Sequence, residues 1–582
     1  MTRRRRLLWV AGALLLLGTV VAVVHVGRSA GDLQRALTAA TEDAAVATTA
    51  VAEGDIDGAE RAASRLVAEI APAIPDDPVW SAAEAIPGVG ANLSAARRAA
   101  TAIVRMGEEV APTMFETARR LTDADAPAAV HTLREAAPAL SRAAATQDDI
   151  ARDLAGIDRT ALIPRLADGV ERVTDAVDDL RTAMDGAAQA AELVPAMLGA
   201  DGDRRILIVL QNTAELRTGG GITGTFLELR ARDGILSLEA QRDSSDFSPS
   251  DKPLGTVPAA EVRALGDGIG RYVQNTSMTA DFRVTANLAA AWWQRSGGSA
   301  PDVVVSMDPV VLAAILKAVG PVETRSGALD QSNAIDRLLV EPYRTLDQDA
   351  QSRYFADAAG AVFAAVTERA RPLTLVTALA GVVEEGRISI WSRDAEQQAV
   401  LAGTAFAGPL ARLDAAGPDA FAVYFNDATG GKLTPYLTVG LETRSGVCRA
   451  DGLREVEVAV DLGNTLAAAD ASSLPLSVTG GGAYGVKAGN IAPTVTVVTP
   501  RGWFAGGVTL DGAPVASVDA QDDGRLSVTH RVELSPRGSD VLTFRFVAGP
   551  DVKTDGAEPR LLHTPLLAPV DVRSGGIGCP AA

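Results

Sequence analysis

An apolar strand from Arg205 runs into Gln211-Asn212, then Glu215, Arg217 and three glycines, Gly219 to Gly221. A second alternating strand and an Asp233-Gly234 hairpin signal lead to a third strand that ends in Arg242-Asp243. Polar groups and glycine amides gathered at one end of a small sheet are the usual ingredients of an anion site. A purely structural account stays open beside this one. In it Glu215 and Arg217 pair with neighbours in a loop, the glycines meet positive φ angles, and Arg242-Asp243 is a surface ion pair of small energetic consequence.

The elements that must position these residues alternate between strand and helix. After a helix carrying Trp292 and Trp293, Val303 to Met307 reads as a buried strand. Asp308-Pro309 then starts a helix and Gly320-Pro321 ends it. Further helices are expected over Gln331 to Leu339, Asp347 to about Arg369, Pro372 to Glu384 and Arg393 to Gly403, which makes 201–418 an α/β domain. From Phe421 the segments become short, β-branched and separated by Gly, Pro, Asp and Asn, the pattern of an antiparallel β-sandwich over 419–582. Leu466 to Ala483 and Ser574 to Ala582 read as loops or ends.

Upstream, 29–200 is rich in Ala and reads as a helical bundle or coiled-coil stalk. Leu166, Val170, Val173, Val177, Leu180, Met184, Ala187, Ala191, Val194 and Leu198 follow spacings of three and four. Leu93 to Leu121 carry a second stripe that Pro112 must bend or divide. Such a stalk serves as a spacer or as a homodimerising or partner-binding coiled coil. Ahead of it, Arg3 to Arg6 precede an apolar run from Leu7 to Val26, roughly the 20 residues that cross a bilayer. That pattern is a membrane anchor or a signal peptide; its length and the lack of a clear small-x-small cleavage site favour a cytoplasmic tip and transmembrane anchor over 1–28, membrane as partner, and a single-pass protein with its bulk extracytoplasmic.

The chain has 582 residues, 47% of them hydrophobic, enough for several packed domains, and its net charge of -19 argues against a nucleic-acid partner. Of its two cysteines, Cys448 and Cys579, neither has a CxxC spacing or a nearby histidine, which argues against zinc or a Cys-His nucleophile. A disulfide between them suits an exported chain and is worth about 4 kcal/mol for so long a loop.

The string QNTAELRTGGGITGTFLELRARDGILSL, with FRVTANLAAAWWQRSGG, DPVVLAAILKAVGPVE and the turn from Phe425-Asn426 to Lys432, resembles the family catalogued as domain of unknown function 4012. That resemblance supplies a category and no activity. The order of elements from Arg205 to about Ala365 also resembles the LytR-CpsA-Psr family of phosphotransferases, which attach polyprenyl-pyrophosphate-linked glycopolymers to the cell wall. The likeness rests on Arg217, Arg242-Asp243, Gly320-Pro321-Val322, and Tyr343-Arg344 followed by Asp347, Asp349 and Arg353. It implies a pyrophosphate site with Arg217, Arg242, Arg344 and Arg353 as guanidinium forks, Gly219, Gly220 and Gly221 as an amide nest, and Asp243 as ligand to a magnesium ion. Glycines and Ile222-Thr223 replace that family's Arg-Ser-Asp step, Gln241 its proline, and Gln211-Asn212 its first-strand aspartate. Lost carboxylates weaken transfer chemistry more than binding. Two functions follow: a protein that binds or transfers lipid-linked or other phosphorylated envelope glycopolymers, or a non-enzymatic envelope scaffold acting through stalk and sandwich.

Overall fold

A computed structural model describes residues 3–427, 429–482, 484–552 and 558–578, the side chains of 3–18, 41–42 and 52 excepted. Contacts divide the chain into two units, Met1–Ala196 and Met197–Ala582.

The first unit is a bundle of α1 (Arg3–Glu53), α2 (Ile56–Ile70), α3 (Pro78–Glu84), α4 (Gly90–Arg105), α5 (Ala111–Thr122), α6 (Ala126–Ala155) and α7 (Pro164–Met197). Pro112 sits in the first turn of α5, where its missing N–H costs nothing, and a π-helical turn at Met106–Val110 absorbs the irregularity between α4 and α5. The predicted stripe on α7 is consumed inside this unit. Val170, Val177, Met184 and Ala191 are fully buried in one cluster with Ala99, Leu140, Ala143 and Ile150. Its period is therefore that of a core-facing helix, and a dimer seam made of those residues would require opening the bundle.

The transmembrane anchor does not hold. Among the described residues no helix is long and apolar enough to cross a membrane. The apolar run from Leu7 lies on α1, with the side chains through Gly18 outside the described residues. Beyond them α1 belongs to the bundle. Val26 and Ala30 pack against Trp80, Ala83 and Leu93, His25 Nε2 lies 3.1 Å from Asp77 Oδ2, and the helix continues unbroken through Arg28, Asp32 and Arg35. The end of the expected span is thus engaged with other helices. The membrane partner, single-pass topology and extracytoplasmic placement that rested on the anchor fall with it.

The second unit opens with β1 (Arg204–Asn212), β2 (Ile222–Arg232) and β3 (Ile235–Asp243), then α8 (Ala259–Leu265), α9 (Phe282–Arg295), β4 (Val303–Met307) and α10 (Pro309–Val319). The β2–β3 turn places Asp233 at φ 49° and Gly234 at φ 79°, both left-handed, as an Asp-Gly hairpin requires. A small hairpin of β5 (Val322–Thr324) and β6 (Gly327–Leu329) precedes α11 (Ala334–Leu339), α12 (Glu341–Thr345), α13 (Gln348–Arg369), α14 (Pro372–Glu384) and β7 (Ser389–Ser392). The resulting sheet has the order β3-β2-β1-β4-β7, with only β1 and β4 parallel. Helix α9 buries Trp292 and Trp293 against it with Leu207, Val209 and Phe226. The other face carries α10, α11 and α13 through Leu312, Leu316, Leu338, Ala358 and Val362, with Leu210 of β1 packed against them.

After α15 (Ala395–Ala402) and α16 (Pro409–Ala415) come β8 (Ala420–Asp427), β9 (Leu437–Gly446), β10 (Glu455–Asn464), β11 (Pro493–Arg501), β12 (Trp503–Leu510), β13 (Ala513–Val515), β14 (Val518–Asp522), β15 (Arg525–Arg531), β16 (Ser539–Ala548), β17 (Arg560–His563) and β18 (Asp571–Gly576). They form sheets ordered β13-β12-β16-β10-β9-β18 and β14-β15-β11-β8-β17, sharing a core of Phe421, Phe425, Val458, Val495, Phe544 and Phe546. The sandwich is antiparallel except at its edges, where β17 and β18 pair parallel to β8 and β9, so Ser574 to Gly576 form strand. Cys448 is disulfide-bonded; Cys579, its expected partner, lies outside the described residues.

Strand β8 joins the two halves of this unit. Seven of its eight residues are buried: Phe421, Val423 and Phe425 face the sandwich core, while Ala420, Ala422 and Tyr424 pack with Leu413 of α16. Both faces covered explains a near-continuous apolar run.

Candidate functional site

The loop after β1 is held from two sides. The Asp427 amide donates to Leu216 O at 2.9 Å and the Thr434 amide to Ala214 O at 3.1 Å, so the sandwich grips residues 214–216. From the α/β side, Gln211 donates through Nε2 to Ser306 Oγ at 2.7 Å and accepts the Gly221 amide at 3.1 Å. Two of the glycines are required. Gly220 has φ 121°, and a Cβ on Gly221 would stand 2.3 Å from the Asn212 carbonyl.

Above this loop opens a cleft of about 1150 Å³. One wall is apolar, made of Leu210, Leu312, Leu338, Leu346, Phe355 and Ala359. The floor is ionic. Glu215 is buried and accepts from Arg217 Nη2 at 3.1 Å on one oxygen and from Lys432 Nζ at 2.6 Å on the other. Arg217 also donates to Leu216 O at 2.8 Å, Asp427 O at 3.1 Å and Asn275 Oδ1 at 3.0 Å, and its buried Nε has no partner among the described residues. Lys432 lies 5.5 Å from the ring centre of Tyr343, whose hydroxyl accepts from Asn212. Asp427 is held by the Thr429 amide at 3.1 Å and by the Thr429 hydroxyl.

Charge on this floor is finely divided. Burial alone would raise the Glu215 carboxyl, but Lys432 and Arg217 outweigh it and hold it below the usual range, so it is ionised. Asp427 goes the other way: burial first, then the neighbouring Glu215 carboxylate, push it up to about 6. A raised acid favours the folded state when protonated. The stability from that proton is complete below the ordinary value near 3.8 and is lost as pH rises through about 6. Asp427→Asn is therefore expected to raise the stability of this unit by about 1–3 kcal/mol at pH 7.5 and to add nothing at pH 4. Urea unfolding at the two pH values checks this, and an equal effect at both would contradict it.

The structure brings together some of the residues picked from sequence and separates others. Arg217 lies in the cleft, and Asp243 lines its rim. Arg242, one position before it on β3, points to the opposite face, where it donates to Ser296 O at 3.1 Å and lies 5.6 Å from the Trp293 ring centre. Arg344 binds the Tyr436 hydroxyl and Arg353 is exposed on α13; neither lines the cleft. The four guanidinium groups therefore do not converge. The amides of Gly219, Gly220 and Gly221 are all taken, by Ser277 O, Arg217 O and Gln211 Oε1, so they form no open nest. The Asp243 carboxylate accepts from the Ser245 amide at 2.9 Å and hydroxyl at 2.8 Å. Among the described residues no three His, Cys, Asp or Glu side chains converge as a metal site, and the Asp243 oxygen that accepts from Ser245 is committed to its own turn.

In place of the missing arginines the cleft offers Lys432 and, on its rim, Arg531. Lys432, Asp427 and Asn426 belong to the polar, glycine-bearing turn that ends the apolar strand β8. That abrupt change was a readable signal, although nothing in it tells that it meets Glu215 more than 200 residues upstream.

Residues 201–343 match the family model described as Protein of unknown function (DUF4012). The match runs from the start of β1 to Tyr343, so α13 and the Asp427–Lys432 turn complete the cleft from outside it. The predicted kinship with that family is met over this segment, whereas no comparison shows the likeness to the LytR-CpsA-Psr phosphotransferases. No curated protein matches the chain.

Proposed function

We propose that the second unit is a binding domain for a phosphorylated amphiphile, of the class of polyprenyl-pyrophosphate-linked saccharides. The observation that carries this reading is the joining of two chemistries in one cleft. A wall of Leu312, Leu338, Phe355 and Ala359 lies beside a floor whose Lys432 ammonium has a single carboxylate partner among the described residues. An apolar chain gains roughly 0.8 kcal/mol per methylene buried against such a wall. The Lys432 ammonium has three donors and spends one on Glu215, which leaves capacity for a phosphate oxygen. The side-chain amides of Gln274, Asn275 and Gln348 also line the cleft.

Binding is favoured over transfer by the arrangement of the carboxylates. Glu215 is committed to two cations, and Asp243 to its own turn.

Calorimetry with geranylgeranyl pyrophosphate, inorganic pyrophosphate and geranylgeraniol separates the two contributions. The pyrophosphate lipid is expected to bind at least tenfold more tightly than either half alone. Lys432→Met should weaken it by about 1.5–3 kcal/mol, the range of a charged hydrogen bond, and leave geranylgeraniol unaffected. Ala359→Phe should weaken both lipids and spare inorganic pyrophosphate. Failure of wild type to bind the pyrophosphate lipid, or equal affinity for it in wild type and Lys432→Met, would refute the proposal.

A further inference from the structure

We propose that ligand binding in this cleft is coupled to proton uptake at Asp427, so that the floor is electrically balanced when its two carboxylates are ionised and becomes an anion acceptor when Asp427 carries a proton. The inference rests on the reading of the cleft given above and adds its regulation.

The geometry behind it is four ionisable residues, Glu215, Arg217, Asp427 and Lys432, that line one floor. Glu215 bridges Arg217 and Lys432 at 3.1 and 2.6 Å, and Asp427 contacts the same set through its own carbonyl, which accepts from Arg217 at 3.1 Å. Two carboxyl groups and two cations thus line one floor. With both ionised these four groups carry no net charge, and a proton on Asp427 leaves them with one net positive charge that favours an anion.

One of the two carboxylates can yield. Glu215 cannot take a proton cheaply, because both its oxygens accept from cations. Asp427 has no cation on its carboxyl oxygens among the described residues, only the amide and hydroxyl of Thr429. Its ordinary pKa is already displaced upward by burial and by Glu215, and an anion placed beside Lys432 would displace it further in the same direction. By linkage, the ligand that raises the proton affinity of Asp427 is itself bound more tightly when that proton is present.

The charged and titratable groups around the cleft are accounted for element by element. The loop after β1 contributes Glu215 and Arg217, the end of β3 Asp243, the segment after α8 Tyr272, the N-caps of α10 and α13 Asp308 and Asp347, α12 Tyr343, the end of β8 and its turn Asp427 and Lys432, the segment after β10 Tyr484, and the end of β15 Arg531. Asp308 is paired with the Arg387 guanidinium and Asp347 accepts from the Ala350 amide, so each has its own partner. Burial pushes the Tyr343 hydroxyl up, so it stays neutral. Glu261, raised by burial to about 7, lines a separate small cavity and does not line this cleft.

The test uses the full chain and farnesyl methyl phosphate, a diester whose single charge does not titrate between pH 5 and 8. Affinity is expected to be about tenfold higher at pH 5 than at pH 7.5. Calorimetry at pH 6.5 in buffers of different ionisation heat should register net uptake of a proton on binding, and that readout needs no variant. In Asp427→Asn the affinity should lose its dependence on pH. Binding by wild type with no pH dependence and no proton uptake would overturn the coupling alone. A pH slope that survives unchanged in Asp427→Asn would overturn the assignment to Asp427. No binding at any pH would remove the reading of the cleft and the coupling with it.

Discussion

Arg387→Met is expected to cost the second unit about 3–5 kcal/mol, the range for breaking a buried ion pair from one side. Arg387 is buried and donates through Nη1 to Asp308 Oδ2 at 2.7 Å, through Nη2 to the Leu566 carbonyl, and through Nε to Glu385. One guanidinium therefore ties the start of α10, the strand β7 and the chain after β17. Methionine fills similar volume and removes every donor. Among the described residues it leaves buried Asp308 only the Val310 and Val311 amides, both at 3.0 Å, to hold its charge. Equilibrium urea unfolding measures the loss, and limited proteolysis after β17 should accelerate because Leu566 is released. Replacing Asp308 by Asn in the same chain should recover part of the loss, since the orphaned charge is the main cost. A change under 1 kcal/mol would mean that water or local relaxation compensates the pair.

Glu215→Gln is the second large effect, expected at roughly 3 kcal/mol. The substitution keeps the size of the side chain and removes the charge that holds two cations. The loss falls at the low end of the buried-pair range for a stated reason. Without Glu215 the Asp427 carboxyl loses its repulsive neighbour and ionises more readily, taking over as counter-ion to Arg217 and Lys432. The variant should therefore be most destabilised below about pH 5, where Asp427 is protonated, and least at pH 8. The double variant Glu215→Gln, Lys432→Met should be more stable than the single one in acid. Equal destabilisation across this range would contradict the charge division assigned to the floor.

What could be read from the sequence divides along physical lines. Local chemistry was legible. The Asp233-Gly234 turn, the Asp308-Pro309 helix start and the glycines at 220 and 221 each answer a requirement that the chain sets within a few residues: a left-handed φ, an N-cap, a close backbone approach. Periodicity was legible too, but it names a buried face without naming its partner. The stripe on α7 packs against α4 and α6 of its own bundle, which no spacing of three and four could tell from a dimer seam. The apolar run after Arg6 likewise has the length of a membrane span, yet Val26 packs against Trp80 and His25 meets Asp77. Long-range pairing was not legible. The LytR-CpsA-Psr resemblance groups Arg242 with Arg217, yet alternation along β3 sends Arg242 to the opposite face onto Trp293. Lys432 reaches the same carboxylate as Arg217 only because β8 lies against both halves of the unit, a consequence of topology.

The central claim, that the cleft between α10, α13 and the Glu215 floor takes a phosphorylated lipid chain, is tested most directly by photolabelling. A farnesyl pyrophosphate carrying a benzophenone at the distal end of its chain, irradiated with the full-length protein and mapped by mass spectrometry, should mark residues of the apolar wall such as Leu312, Leu338 and Phe355. Competition by unlabelled geranylgeranyl pyrophosphate should remove that labelling. Labels scattered over the surface, or confined to the bundle and undiminished by competitor, would contradict the account.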